Sequence, residues 1–501
     1  MQKKGLTGQE KKEKMEKGKT MRRLGTGVKS AIRILAFFLV LAAVLGGLNR
    51  IVRLKYGDGI YDVTKFYELE KGTVDVLVLG SSRAFEDINT GTLWDEHGIA
   101  AYVLGGSEQP MWNTYYYLKE ALKTQTPELI VLEAYNAAFN DDYSDDSRII
   151  KNNFGLKWSM DKVNSLKVSA PRERWSEFFL EYTQYHTRYR ELSKEDFLKN
   201  QGYRLYDDWK GFGCNMDTTP LESADVRHIT ERAALREKSE TYYRAVIELA
   251  QKRQIPIMVM ISPYAGISEE KQKQLNTIGD IAAEYQVPFI NCNLILDEIG
   301  IDFALDAADY AHLNYRGNTK LTHYIGAFIK ENFEVSCRTG DVRYATWQRN
   351  ADYIRQMIWD QMLLESSDLE SIIPLIQVPN YTVMLSVDGG CSTSDEDLAS
   401  FFAACGIPGT GESGIWLREN GQVSWYSGTG EAGRMITTPA YEFCMMRIPN
   451  EFGQYVNILM QNNVQCKKVD NGVNVLVYDT KTEEIADTFG IDTDNGYGIV
   501  R

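Results

Sequence analysis

Residues 74–83 read Val-Asp-Val-Leu-Val-Leu-Gly-Ser-Ser-Arg, an apolar, β-branched run that breaks at Gly80 and is followed at once by Ser81 and Ser82. Such a run is the mark of a strand buried on both faces inside a parallel sheet. Ligands in open α/β sheets bind just beyond the carboxyl ends of the strands, which is where the two serines stand. This stretch constrains the fold and gives the chain a place where chemistry can occur.

The residues that follow repeat the plan. Val74–Leu79, Ala101–Leu104, Leu129–Leu132, Ile255–Ile261 and Val287–Ile290 read as strands. Helical patterns over Asn113–Lys123, Thr230–Arg253, Glu269–Tyr285 and Asn314–Asn332 alternate with them, which predicts an α/β fold with a mostly parallel sheet. Between about 140 and 228 the sequence turns polar, aromatic and irregular, and is expected to form a helical insertion. Ser223 and Asp225 read there as caps at the start of the long helix. Tyr344, Trp347, Tyr353, Ile354, Met357, Ile358 and Met362 have helical spacing, so residues 336–373 are expected to form a helical connector. From residue 374 onward, runs such as Tyr381–Val387, Gly414–Leu417 and Val473–Tyr478 lie between Gly, Asp and Asn turns and predict a smaller β-rich domain. A length of 501 residues suits two folded domains, here 72–335 and 374–501.

Ile34 to Asn49 carries no charge and lies between Arg33 and Arg50. Extended through Val52, with both arginines snorkelling, it approaches the roughly 20 residues a bilayer needs, so residues 34–52 read as one transmembrane anchor. The basic tail 1–33 holds 11 Lys and Arg against three Glu, which puts it in the cytoplasm and the bulk outside the cell membrane. A cleaved signal peptide competes, with Ala42-Ala43 and Gly46-Gly47 as small residues, but its charged region would be about 33 residues long and no A-x-A site follows. The tail's excess of eight leaves the rest of the chain at −22 within a net charge of −14, too acidic to expect a nucleic-acid partner. Seven cysteines, at 214, 292, 337, 391, 405, 444 and 466, show no C-x-x-C spacing; no metal and no cofactor are expected. Four of them fall in the last 111 residues, where an external location would permit one or two disulfides.

A serine hydroxyl needs a base to act as a nucleophile, usually a histidine held in one tautomer by a carboxylate. Of five histidines, His97 and His323 lie in ordinary helical contexts, and His186 lies in the insertion, where it could line a site or simply pack. His228 and His312 each follow an aspartate by three residues, Asp225 and Asp309, a spacing that sets carboxylate and imidazole on one side of a turn. Asp225 has the capping role as an alternative, whereas Asp309 and His312 fall in the loop before the last helix, at an edge of the sheet. Gly80–Ala84 nearly fits the G-x-S-x-G elbow of α/β-hydrolases, but that elbow lies mid-domain; here the serine follows the first strand and Asp-x-x-His closes the domain.

This order resembles the SGNH (GDSL-like) hydrolase superfamily, and more closely its membrane-anchored branch of DltD-like and alginate-acetylation-like proteins, over about residues 72–333. The resemblance implies a three-layer, flavodoxin-like domain with Ser82 as nucleophile, His312 as base and Asp309 orienting it. It implies an oxyanion hole from the backbone N–H of Ser82 and of Gly105. The family's Gly-x-Asn-Asp block is absent; Glu133-Ala134-Tyr135-Asn136 stands there, which leaves Asn136 as the candidate third donor. Arg83, Arg188 and Arg316 could meet substrate charge, with paired or solvated arginines as the alternative. The C-terminal segments Gly472–Asp479 and Ile491–Thr493 resemble an interleukin-like EMT-inducer domain, which implies carbohydrate binding. The function that the resemblance implies is transfer of an acyl group, acetyl by preference, to a cell-surface polysaccharide, with a multi-pass membrane acyltransferase as donor partner. Hydrolysis of such esters by a carbohydrate esterase, or a non-catalytic glycan-binding or assembly role, are the alternatives.

Overall fold

The computed structural model describes residues 8–52, 59–179, 185–197, 209–389, 396–407 and 412–501. The described residues begin with one long helix, α1 (Gly8–Val52), and continue with α2 (Ile60–Phe66). Five strands then form a wholly parallel sheet: β1 (Val76–Gly80), β2 (Ala101–Gly105), β3 (Leu129–Glu133), β4 (Ile257–Ile261) and β5 (Phe289–Asn291). Their order is β2-β1-β3-β4-β5, so the winding reverses between β1 and β3 and opens a crevice at the carboxyl ends of those two strands.

The strands β1 to β4 are buried on both faces because alternate side chains enter different cores, while the edge strand β5 is half-buried. Leu77, Leu79, Leu104, Ile130 and Leu132 pack against Tyr117 of the helix Met111–Ala121, together with Tyr243 and Leu275 from the helices Glu237–Lys252 and Glu269–Glu284. Val76, Val78, Val103, Val131 and Met258 face the other way, toward Leu93, Leu321 and Ile325. Burying each such side chain is worth roughly 1.5–3 kcal/mol, which is why the β1 sequence has no polar position between Val76 and Leu79. The result is the helix–sheet–helix arrangement that the alternation predicts.

Two expectations from the sequence are not met, and the insertion is helical as expected. The helix expected from Thr230 starts only at Glu237, and residues 225–236 run across the Glu269–Glu284 helix, tied to it by Asn276 and Lys273 rather than by a helical ladder. Asp225 is therefore not a helix cap; it binds Arg227. The expected disulfides are not formed among the described residues: Cys405, Cys444 and Cys466 are free thiols, and Cys391 lies outside them. In the insertion the described residues form short helices, including Asp146–Lys151, Met160–Ser169 and Trp175–Phe179.

The helix Ala345–Glu365 carries Trp347 and Ala351 into the first core and Leu363 into a second. That second core belongs to a six-stranded antiparallel sheet built on Tyr381–Asp388 and Gly472–Asp479, one face of which is covered by the helices Leu369–Ile376 and Glu396–Ala404. Its other face meets a four-stranded antiparallel sheet through Met384, Leu417, Phe443 and Leu459. The C-terminal region is thus a β-rich sandwich separate from the parallel sheet.

Candidate active site

The β1 strand ends at Gly80 because no side chain fits there: a Cβ would lie 2.8 Å from the Cβ of Ala84 and 2.9 Å from the Glu133 carbonyl. Gly105, its register partner on β2, is constrained in the same way by the Ser81 carbonyl at 2.9 Å. The two strand ends therefore converge closely, and Ser82 opens the short helix α3 (Ser82–Asp87) at their edge. Ser81 occupies the cap position with an extended backbone and makes no side-chain cap bond.

The Ser82 hydroxyl is directed across the crevice instead of onto its own helix. Its Oγ lies 2.8 Å from His312 Nε2, and Nδ1 of the same ring lies 3.0 Å from both carboxylate oxygens of Asp309. A carboxylate can only accept, so Nδ1 carries the ring proton and Nε2 is left to accept from Ser82. Asp309 Oδ1 also accepts the backbone N–H of Ala311 and of His312, which fixes the turn. The loop is closed by the bridge between Ala307 and Leu313, and the Leu313 N–H is held by Asp87 at the far end of α3. The helix that closes the parallel-sheet region, Tyr315–Asn332, begins at its Asn314 cap and returns Thr322 and Asn318 to Asn89, so the histidine loop and the serine helix are braced together.

Electrostatics favour a neutral imidazole. Burial pushes His312 below its ordinary value of 6.5; the Asp309 bond and charge oppose this, and the Arg83 charge adds to it. Burial pushes the Asp309 carboxyl up, but its bonds to His312 and to the loop N–H groups outweigh that and hold it below the usual range. Glu86 lies 3.8 Å from Nδ1, a second carboxylate on the same side of the ring.

The other predicted residues divide. Arg83 follows the serine but is buried, its guanidinium 4.0 Å from the ring centres of both Tyr135 and Tyr264, so it is a wedge under the site rather than an exposed substrate contact. Asn136 spends both amide hydrogens, on the Gln109 carbonyl at 2.9 Å and on Thr114 Oγ1 at 3.1 Å, and so does not offer the third oxyanion donor. Arg188 is buried in a two-bonded pair with Asp196, which removes it from substrate binding, and His186 is exposed on the same turn. Arg316 is paired with Glu365. His97 and His323 both lie beside Glu96, on the helices Thr90–His97 and Tyr315–Asn332.

Sequence reasoning missed two buried carboxyls near Arg83. Burial pushes Glu133 up to about 7 and Asp87 well above its usual value, with the Arg83 charge opposing in each case. Neither has a motif signal; their meaning arises only when β3 and α3 converge on one arginine. Beside Tyr135 a groove of about 750 Å³ opens, lined by Glu108, Pro110, Phe139, Asp141, Arg236 and Lys271 among others. The groove is polar and aromatic and lies at the carboxyl edge of the sheet, outside β3.

No family model matches this chain, and no curated protein does. Among solved structures, a Bacteroides fragilis protein described as a presumed acylhydrolase superposes with a TM-score of 0.27 and 13% identity, over 55% of this chain and 96% of that one. A likeness that slight carries no argument about activity.

Proposed function

We propose that the chain is a membrane-anchored serine acyltransferase that passes an acyl group, acetyl by preference, to a cell-surface polysaccharide. The observation that carries this reading is the continuous Ser82–His312–Asp309 hydrogen-bond chain at a switch point of a parallel sheet. In the first half-reaction Ser82 Oγ attacks the acyl carbonyl as Nε2 takes its proton. The tetrahedral oxyanion is met by the backbone N–H of Ser82 and of Gly105, and collapse expels the donor's leaving group with the proton from His312. In the second, a sugar hydroxyl gives its proton to Nε2 and attacks the acyl-serine, and Ser82 leaves with that proton. Asp309 keeps the ring oriented and stabilises the imidazolium in both.

The polymer is proposed to lie in the groove beside Tyr135, whose aromatic and hydrogen-bonding lining suits a sugar chain. Residues Val28–Val52 form a helix long and apolar enough to cross a membrane. We take it as the anchor, with the basic N-terminus inside, the folded bulk outside and a multi-pass acyltransferase as acyl source.

The test is to acid-quench the full chain after incubation with p-nitrophenyl acetate and to map acetyl groups by mass spectrometry. Acetyl on Ser82, absent in Ser82→Ala and discharged faster by added polysaccharide than by water, is the expected result. Discharge by water alone makes the protein an esterase on the same polymers. Absence of acetyl-serine in wild type would leave a non-catalytic glycan-binding role as the better reading.

A further inference from the structure

The end of α1 is built into the folded domain. Val52 is buried with Ile60, Ile149, Phe154, Leu166 and Phe178. Its carbonyl, one of those a helix leaves unsatisfied at its C-terminus, accepts from Arg188 Nη1 at 3.2 Å. Asp196 fixes that guanidinium from the other side at 2.9 and 3.1 Å. The two short turns that supply this pair, His186–Arg190 and Lys194–Phe197, both contact α1.

Those turns nevertheless leave large rings in the open. Tyr189 is 58% exposed and Phe197 is 62% exposed, with Arg190 Nε 3.0 Å from the Tyr189 hydroxyl. Aromatic rings accompanied by a long cationic side chain are the composition of a membrane interface, where the ring enters the headgroup layer and the charge meets phosphate. The junction also adjoins the sheet edge that carries the serine. A side chain at Gly59 would sit 2.8 Å from the Lys151 carbonyl and 3.4 Å from the Cα of Gly106, the residue that follows Gly105 at the end of β2.

We propose that the 186–197 turns rest on the phospholipid surface beside α1, as a second membrane contact that holds the carboxyl edge of the parallel sheet toward the bilayer. The proposal depends on α1 spanning that bilayer. Continuity selects lipid as the occupant: the same turns that expose Tyr189 and Phe197 grip the last residue of the apolar helix. An acyl donor presented at the membrane would then reach Ser82 without the domain having to tip.

The full chain reconstituted in nanodiscs of brominated phospholipid tests this, because α1 contains no tryptophan and brominated acyl chains quench only indoles at lipid depth. Tyr189→Trp and Phe197→Trp are compared with Val342→Trp, an 86% exposed position near Arg338, which pairs with Asp75 and Glu128 at the opposite edge of the sheet. The added emission at 189 and 197 should be largely lost in brominated discs and that at 342 retained. Co-elution of chain and disc through alkaline carbonate with no loss at 189 or 197, or with equal loss at all three, overturns the second contact while leaving the anchor intact. A chain released by carbonate overturns both.

Discussion

Asp225-Val226-Arg227-His228 and Asp309-Tyr310-Ala311-His312 have one spacing and two environments. At the first, Arg227 takes the carboxylate with its side chain and its backbone N–H, holding Asp225 down at about 2, and His228 is exposed on an irregular segment. At the second, the carboxylate takes the imidazole itself, the ring is shielded, and a serine from the end of β1 meets its free nitrogen. Three residues of spacing bring a carboxylate within reach of an imidazole. What lies across the crevice decides whether the pair can move a proton.

The comparison is broken or sharpened by removing matched groups. The largest effect is expected from Ser82→Ala and His312→Ala, each lowering kcat/KM for an acetyl ester by about 10⁴-fold or more while circular dichroism stays native; His228→Ala should leave the rate unchanged. A rate that falls equally at 228 would dissolve the distinction. Next, Asp309→Asn should cost about 10²- to 10⁴-fold, because an amide no longer demands the Nδ1–H tautomer, whereas Asp225→Asn should be silent in the same assay.

A smaller effect concerns pH. As the proposed base His312 must be neutral, and its folded pKa is lowered, so activity should rise with pH through a value below 6.5 and be lost beneath it. Replacing Arg83 with Met removes a neighbouring cation and should move that acid limb upward; a limb that stays put in a folded variant would mean that burial alone sets the value. The smallest effect is expected at Asn136, whose amide is already spent. Asn136→Ala should fall well short of the 10²- to 10³-fold loss typical of an oxyanion donor, and a loss of that size would require its amide to turn in the acylated enzyme.

Much of this was readable in the chain because the informative features were local. Five apolar runs declared five parallel strands, and glycine at 80 and 105 marked where the first two end. Ser82, Asp309 and His312 could be named because the turn after the first strand and the loop before the last helix are recognisable by themselves. The failures have a common cause, which is that a polar side chain's role depends on a partner distant in sequence. Arg188 read as a substrate contact until Asp196 and the Val52 carbonyl claimed it, and Arg83 until two tyrosines enclosed it. Asp225 read as a cap because nothing local showed that the helix would wait for Glu237.

The separation of 230 positions between Ser82 and its base bears on when the protein becomes active. Closing a loop of that length costs about 5 kcal/mol of chain entropy before any contact is gained, so the two halves of the pair meet late in folding. A chain emerging from its N-terminal end displays the serine early, but the histidine arrives only with the helix Tyr315–Asn332 and its bonds to Asn89. A partly made copy therefore carries the serine without the imidazole that would take its proton.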